Sequence, residues 1–249
     1  MKHLQILIIL LFFALNIGAQ PPGKFYGTWG GNGDDVGYSG KQTKDGNYIV
    51  AGSTSSYGHG EVDVYLLKID SMGSVIWDKT YGAFNSEVGK SVIEVVDSGF
   101  VITGYTNSFG SGGYDAYLIR TDKNGNLIWQ KTFGGTDWDF ANDVVLGSDG
   151  NLHVVGYTYS YGAGKKDGFI LKYDLQGNFL SHKFIGGAED DELNSIIKTN
   201  DGFLATIGYT KSKNDLNGDI YFLKLDLNYD TLFTRTIGGP GVDYGSDLV

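Results

Sequence analysis

Apolar positions along this chain fall into short runs, separated by breaks rich in Asp and Gly. Within residues 82–133, Ser91–Val96 and Phe100–Gly104 form two such runs joined by Asp97-Ser98-Gly99. Asp115–Thr121 is a third, in which Tyr117 and Ile119 alternate with Leu118 and Arg120, and Leu127–Phe133 is a fourth. Alternation of period two predicts strands with two distinct faces, and no segment beyond residue 20 carries a helical period. The breaks predict hairpins. Asp45-Gly46, Asp149-Gly150 and Asp201-Gly202 stand where Asp97-Ser98-Gly99 stands. Asp-Gly between two β runs predicts a type I′ turn, because Gly takes positive φ without strain. Asp122-Lys123-Asn124-Gly125 predicts a second hairpin, with Asp opening the turn and Gly left-handed. Tyr229 replaces the Gly found at 73, 125 and 177. The strain of Tyr at positive φ predicts a different turn there.

The whole pattern recurs without insertion. Gly30, Gly82, Gly134, Gly186 and Gly238, each the first of a double glycine or its equivalent, are spaced by 52 residues. Asp45, Asp97, Asp149 and Asp201 keep the same phase, as do Gly52, Gly104, Gly156 and Gly208, and Asp63, Asp115, Asp167 and Asp219. Four antiparallel strands at this period predict an all-β fold, a β-propeller of 52-residue blades at about 30–81, 82–133, 134–185 and 186–237, with a partial fifth at 238–249. Tyr81, Phe133, Ile185 and Ile237, and Trp77, Trp129 and Phe233, are expected to pack blade against blade. Ser181 stands where the Trp would be, so the third blade is expected to pack more weakly at that layer. The fifth unit stops at Val249, the equivalent of Ile93 inside a first strand. Either four blades close the ring and leave a redundant tail, or, as the half-built strand favours, the ring is incomplete and this is the front of a longer protein with further blades, an adhesive domain or a sorting signal.

The stretches "WQKTFGGTDWDFANDV", "DGNLHVVGYTYS" and "DGFILKYDLQGN" resemble the secreted bacterial and archaeal β-propeller repeat called SBBP, which carries W-x-x-x-x-G-G, Asp-Gly-Asn, Gly-x-Thr and Gly-Tyr-Asp. The resemblance covers residues 25–249. It implies a closed propeller on secreted or surface proteins, and no defined catalytic activity.

Composition narrows the setting. Lys2 and His3 precede an apolar run, Leu4–Leu15, and Ile17-Gly18-Ala19 resembles a cleavage site, so residues 1–20 are expected to be a secretory signal peptide. That run is too short to span a bilayer, and no membrane span is expected after its removal. Lys2 is the one charge lost with it, which leaves 18 basic against 29 acidic residues and a net charge of −11. Such a surface repels phosphate backbones, so no nucleic-acid partner is expected. With no Cys, the chain has neither disulfides nor a lipid-bearing residue.

Candidate chemistry is sparse. Asp35, Glu87, Asp139 and Asp191, with Asp243, each follow a glycine corner by five residues and are either hydrogen-bond acceptors for the corner or Ca²⁺ ligands. No cofactor other than Ca²⁺ is expected. Asp63 and its equivalents are read as register devices. Tyr57, Phe109 and Tyr161 sit in variable glycine-rich loops whose composition suits adaptable recognition, and are candidate ligand-binding residues. His59, His153 and His182 occupy different phases, and no nucleophile elbow, Walker loop or His-Glu-x-x-His motif is present. No catalytic residue is assigned. The expected function is a secreted or cell-surface, non-catalytic scaffold that binds protein or glycan. The alternatives are a propeller-type carbohydrate-active enzyme, which needs two non-repeating carboxylates or histidines in one cleft, and a passive spacer of a larger adhesin.

Overall fold

A computed structural model describes residues 27–213 and 217–249, so the expected signal peptide lies outside the described residues. Their strands form four antiparallel sheets, each of four strands in sequence order. The first holds β1 (Asp35–Gln42), β2 (Tyr48–Thr54), β3 (Asp63–Ile69) and β4 (Val75–Tyr81). The second holds β5 (Glu87–Glu94), β6 (Phe100–Thr106), β7 (Asp115–Thr121) and β8 (Leu127–Phe133). The third holds β9 (Asp139–Leu146), β10 (Leu152–Thr158), β11 (Asp167–Tyr173) and β12 (Phe179–Ile185). The fourth holds β13 (Asp191–Lys198), β14 (Leu204–Thr210), β15 (Asp219–Leu225) and β16 (Thr231–Ile237).

The first strand of each sheet starts earlier than its apolar run suggests, at Glu87 and not Ser91 in the second sheet, because it carries a bulge. Gly89 faces Gly104 and Ser91 faces Thr103, leaving Lys90 as an extra residue. Tyr38, Asn142 and Asn194 are the equivalents. An extra residue reverses the alternation midway, so periodicity finds only half of the strand. The bulge also explains the glycine series of the second strand. A Cβ on Gly104 would stand 1.8 Å from the Val88 carbonyl oxygen, and Gly52, Gly156 and Gly208 meet the equivalent oxygen at 1.8 or 1.9 Å.

Two turn expectations are corrected. Type I′ needs positive φ at two central residues. Each first hairpin has one: Gly46 at 82°, Ser98 at 63°, Gly150 at 77° and Gly202 at 84°. Gly46 N–H donates to Thr43 O and Thr43 N–H to Asn47 O, the three-residue loop closed by a left-handed residue. The turn carboxylate is paired with a cation from the third strand: Lys68 Nζ lies 2.7 Å from Asp45, Arg120 Nη2 2.5 Å from Asp97 and Lys172 Nζ 3.1 Å from Asp149.

Tyr229, expected to force a different turn, adopts φ 70° in the same one. Its N–H donates to Asp226 O, as Gly125 N–H does to Asp122 O. The compensation comes from outside the turn. Tyr229 is 2% exposed, its hydroxyl is 3.0 Å from His153 Nδ1, and its carbonyl accepts from Lys183 Nζ. Burial favours neutral His153, whose Nε2 is 3.0 Å from Asp149 Oδ1, so Nε2–H donates to the carboxylate and Nδ1 accepts from the tyrosine.

Three hydrophobic cores lie between successive sheets. Ile49, Val64 and Leu66 meet Ile102, Tyr117 and Ile119. Val101 and Leu118 meet Leu152, Val154 and Phe169. Val155 and Ile170 meet Leu193, Leu204, Leu223 and Tyr229. Each fully buried aliphatic side chain contributes about 1.5–3 kcal/mol, and each buried tyrosine, with its larger area, more. At the first two junctions a Trp covers a turn glycine of the next sheet: Trp77 over Gly125, and Trp129 over Gly177 with Nε1–H donating to Leu175 O at 3.0 Å. The third junction reverses the sizes, with Ser181 at the Trp phase and Tyr229 at the Gly phase. Tyr229 is buried in the third core, whereas Ser181 itself is exposed. Beyond the fourth sheet, Phe233 and Ile237 are 44% and 56% exposed, whereas Tyr81 in the first is 8%.

Candidate functional site

The corner acids are held by the corners they close. Asp35 accepts from Gly31 N–H at 2.8 Å, Ser56 Oγ at 2.6 Å and the Thr54 hydroxyl. Glu87 accepts from Ala83 N–H and Thr106 Oγ1, at 2.9 and 2.8 Å. Asp139 accepts from Gly135 N–H and Ser160 Oγ, both at 2.8 Å, through Oδ2, while Oδ1 is buried without a donor. Asp191 accepts from Gly187 N–H, Ser212 Oγ and Thr210 Oγ1. The acids opening the third strands cap the preceding loop, as Asp115 does for Ser111 N–H at 2.9 Å. Sequence reading kept the two series apart, but the fold joins them. Asp115 Oδ1 and Asp139 Oδ2 lie 2.0 and 2.6 Å from where a Cβ on Gly134 would stand, and Asp63 and Glu87 crowd Gly82 in the same way. Among the described residues no group of three or more His, Cys, Asp or Glu gathers as a metal site.

Burial, with the Asp139 charge beside it, pushes Asp115 up to about 6 from its ordinary 3.8, and Asp167 is raised by burial and Asp191. A carboxyl whose folded pKa is raised penalises the fold when ionised, above pH 6. The penalty fades as pH falls and is gone below the unfolded value. Asp115→Asn is therefore expected to gain roughly 2 kcal/mol on the wild type between pH 4 and pH 8. Urea titrations at the two pH values check this, and a difference independent of pH would contradict it.

The loop aromatics pack as corner staples. Tyr57 Oη donates to Gly30 O and Tyr161 Oη to Gly134 O, each at 2.9 Å, and Phe109 stacks on Tyr117 at 5.7 Å.

The four first strands, with Ser246–Leu248, line a cavity of about 800 Å³. A polar ladder runs around it with one rung per repeat. Ser91 Oγ donates to Asp143 Oδ1 at 2.6 Å, Asp143 Oδ2 accepts from Ile196 N–H at 2.9 Å and Ser195 Oγ donates to Asp247 Oδ1 at 2.8 Å.

At the corner between the second and third sheets, directly before Asp139, lies a feature that does not repeat. Trp138, 55% exposed, stands edge-on to Tyr114 and Phe140, with centroids at 5.9 and 6.2 Å. Tyr105 and Tyr157 flank Phe140 at 4.9 and 5.0 Å. Tyr159 N–H donates to Trp138 O at 2.9 Å, which sets these two side chains together over a cleft of about 460 Å³ lined by Asp137, Trp138, Tyr159 and Lys165.

A family model described as a domain of unknown function (DUF5122) β-propeller matches residues 43–75, the stretch from the first hairpin to the fourth strand. Four successive antiparallel sheets in one repeating order, with that match, decide the architecture. The chain is a β-propeller repeat protein. The propeller is similar to a Caulobacter vibrioides protein named Regulatory protein FlaEY, 28% identical over 182 residues; the match covers 61% of this chain and 19% of that one. Among solved structures it is similar to a protein of unknown function from Bacteroides caccae, with a TM-score of 0.51 and 11% identity over 84% of this chain and 65% of that one. Sqt1 from Chaetomium thermophilum gives a TM-score of 0.45 at 14% identity, covering 81% and 48%.

Comparing propeller repeats by acids and glycines alone passes over this aromatic group. In phase with Trp138 the other repeats have Asp34, Ser86 and Asp190; with Tyr159, Ser55, Asn107 and Lys211; with Tyr114, Val62, Lys166 and Gly218. Tabulating departures from the repeat would have exposed it.

Proposed function

We propose that this propeller is a non-catalytic binding scaffold, secreted or held at the cell surface, that takes a protein or glycan partner on its corner face. The aromatic group at the junction of the second and third blades carries the reading. Features that serve the fold recur at every junction, as the corner acids and the ladder do, whereas these aromatics occur at one and leave Trp138 open to solvent. Exposed aromatics held in place by edge-on aromatic neighbours mark contact surfaces. A carbohydrate-active enzyme would draw on Asp143 and Asp247, which flank Ser195 in the channel, but both accept hydrogen bonds from the ladder. The purified chain is expected to bind isolated bacterial cell envelopes saturably and to release no product from chromogenic glycosides. Lack of saturable binding, or turnover that disappears in Asp143→Asn, would overturn the reading.

A further inference from the structure

The cleft beside Trp138 combines features that point to one ligand class. Its lining holds aromatic and charged side chains, Asp137, Trp138, Tyr159 and Lys165, and no aliphatic one. An anchor pocket for an apolar peptide would instead present aliphatic walls. Among the described residues the Trp138 indole N–H, the Tyr159 hydroxyl and the Asp137 carboxylate have no hydrogen-bond partner within the protein, so donors and an acceptor surround the ring. The acidic surface disfavours anionic ligands.

The platform is also built into the backbone. A Cβ on Gly113 would stand 2.1 Å from Trp138 Cδ1 and 2.6 Å from its Nε1. In the other repeats this phase is Glu61, Lys165 and Asn217, so the backbone there accepts side chains. Glycine occurs only where an indole rests on it. Trp138 and Gly113 thus depart from the repeat together, and edge contacts from Tyr114 and Phe140 fix the ring.

Building on the binding-scaffold reading, we propose that this cleft binds a neutral carbohydrate chain, one sugar ring lying on the Trp138 indole. The axial C–H bonds of a pyranose form an apolar, weakly positive face that complements the negative face of an aromatic ring. Its equatorial hydroxyls reach Asp137, Tyr159 and the indole N–H. Lys165, held by Glu189 at 2.6 Å, bounds the far side.

The test is titration of the full chain with neutral hexasaccharides of β-1,4-glucose, N-acetylglucosamine, xylose and mannose, followed by tryptophan fluorescence and calorimetry, beside the envelope-binding assay. At least one sugar is expected to bind. Trp138→Ala and Gly113→Ala should weaken it at least tenfold without a change in melting temperature, while Phe84→Ser, which removes an 87% exposed aromatic elsewhere, should leave it unchanged. Envelope binding that persists in Trp138→Ala overturns the site and leaves the scaffold reading standing. Envelope binding that Trp138→Ala abolishes, but no hexasaccharide competes for, overturns the carbohydrate assignment alone. If neither envelopes nor sugars bind, both fall.

Discussion

Tyr229→Gly is expected to destabilise the protein by about 3 kcal/mol, although glycine is what the equivalent turns carry and left-handed backbone suits it better. Burying a tyrosine contributes roughly 4–6 kcal/mol by area, and relief of left-handed strain returns only about 1–2 kcal/mol of the loss. The substitution also strips His153 Nδ1 of its 3.0 Å partner inside the third core. The first two junctions indicate the rescue, since they place Trp where the third has Ser181. Ser181→Trp in the Tyr229→Gly background should restore most of the stability, and Ser181→Trp alone should overpack and destabilise. Urea denaturation of the four proteins forms the cycle. Additive effects would show that the two positions do not share one volume.

Gly104→Ala is expected to cost roughly 3 kcal/mol or more, close to the limit for one methyl group. The obstacle is backbone. The new Cβ would stand 1.8 Å from Val88 O and 2.8 Å from Val88 C, so the bulge or the strand pairing has to open. Gly239→Ala is the control, since no atom lies within 4 Å of its Cβ position. Denaturant midpoints of the two variants should separate widely, and similar values would mean that the inner strand moves aside easily.

These residues also indicate how far the sequence could be read. The period, the hairpins and the two faces of β7 were legible because turn chemistry and alternation are local: Asp122 accepts from Asn124 and Asn126 N–H within its own turn. The start of β5 was hidden because Lys90 breaks the alternation. Tyr229 was misjudged because what holds it, His153 and Lys183, lies 76 and 46 residues away. The candidate site was legible only in part. Asp35 and its equivalents could be recognised as corner acceptors, whereas their pairing with Asp63 and its equivalents depends on the stacking of adjacent blades. The Trp138 group stayed out of sight because strand aromatics first suggest blade packing, and its members gather from Tyr105 to Tyr159 only when two sheets meet.

The ladder around the channel bears on how such a chain can change over generations. The rungs from Ser91 to Asp143 and from Ser195 to Asp247 each join a residue to its equivalent 52 positions on, so these seams repeat one contact. Slippage of the gene by one whole period rejoins matched surfaces and yields another foldable product, whereas slippage by a few residues leaves a carbonyl facing a side chain at the bulge. Ring size can then drift by duplication and loss, while a single seam, such as the one bearing Trp138, acquires a specificity of its own by point substitution.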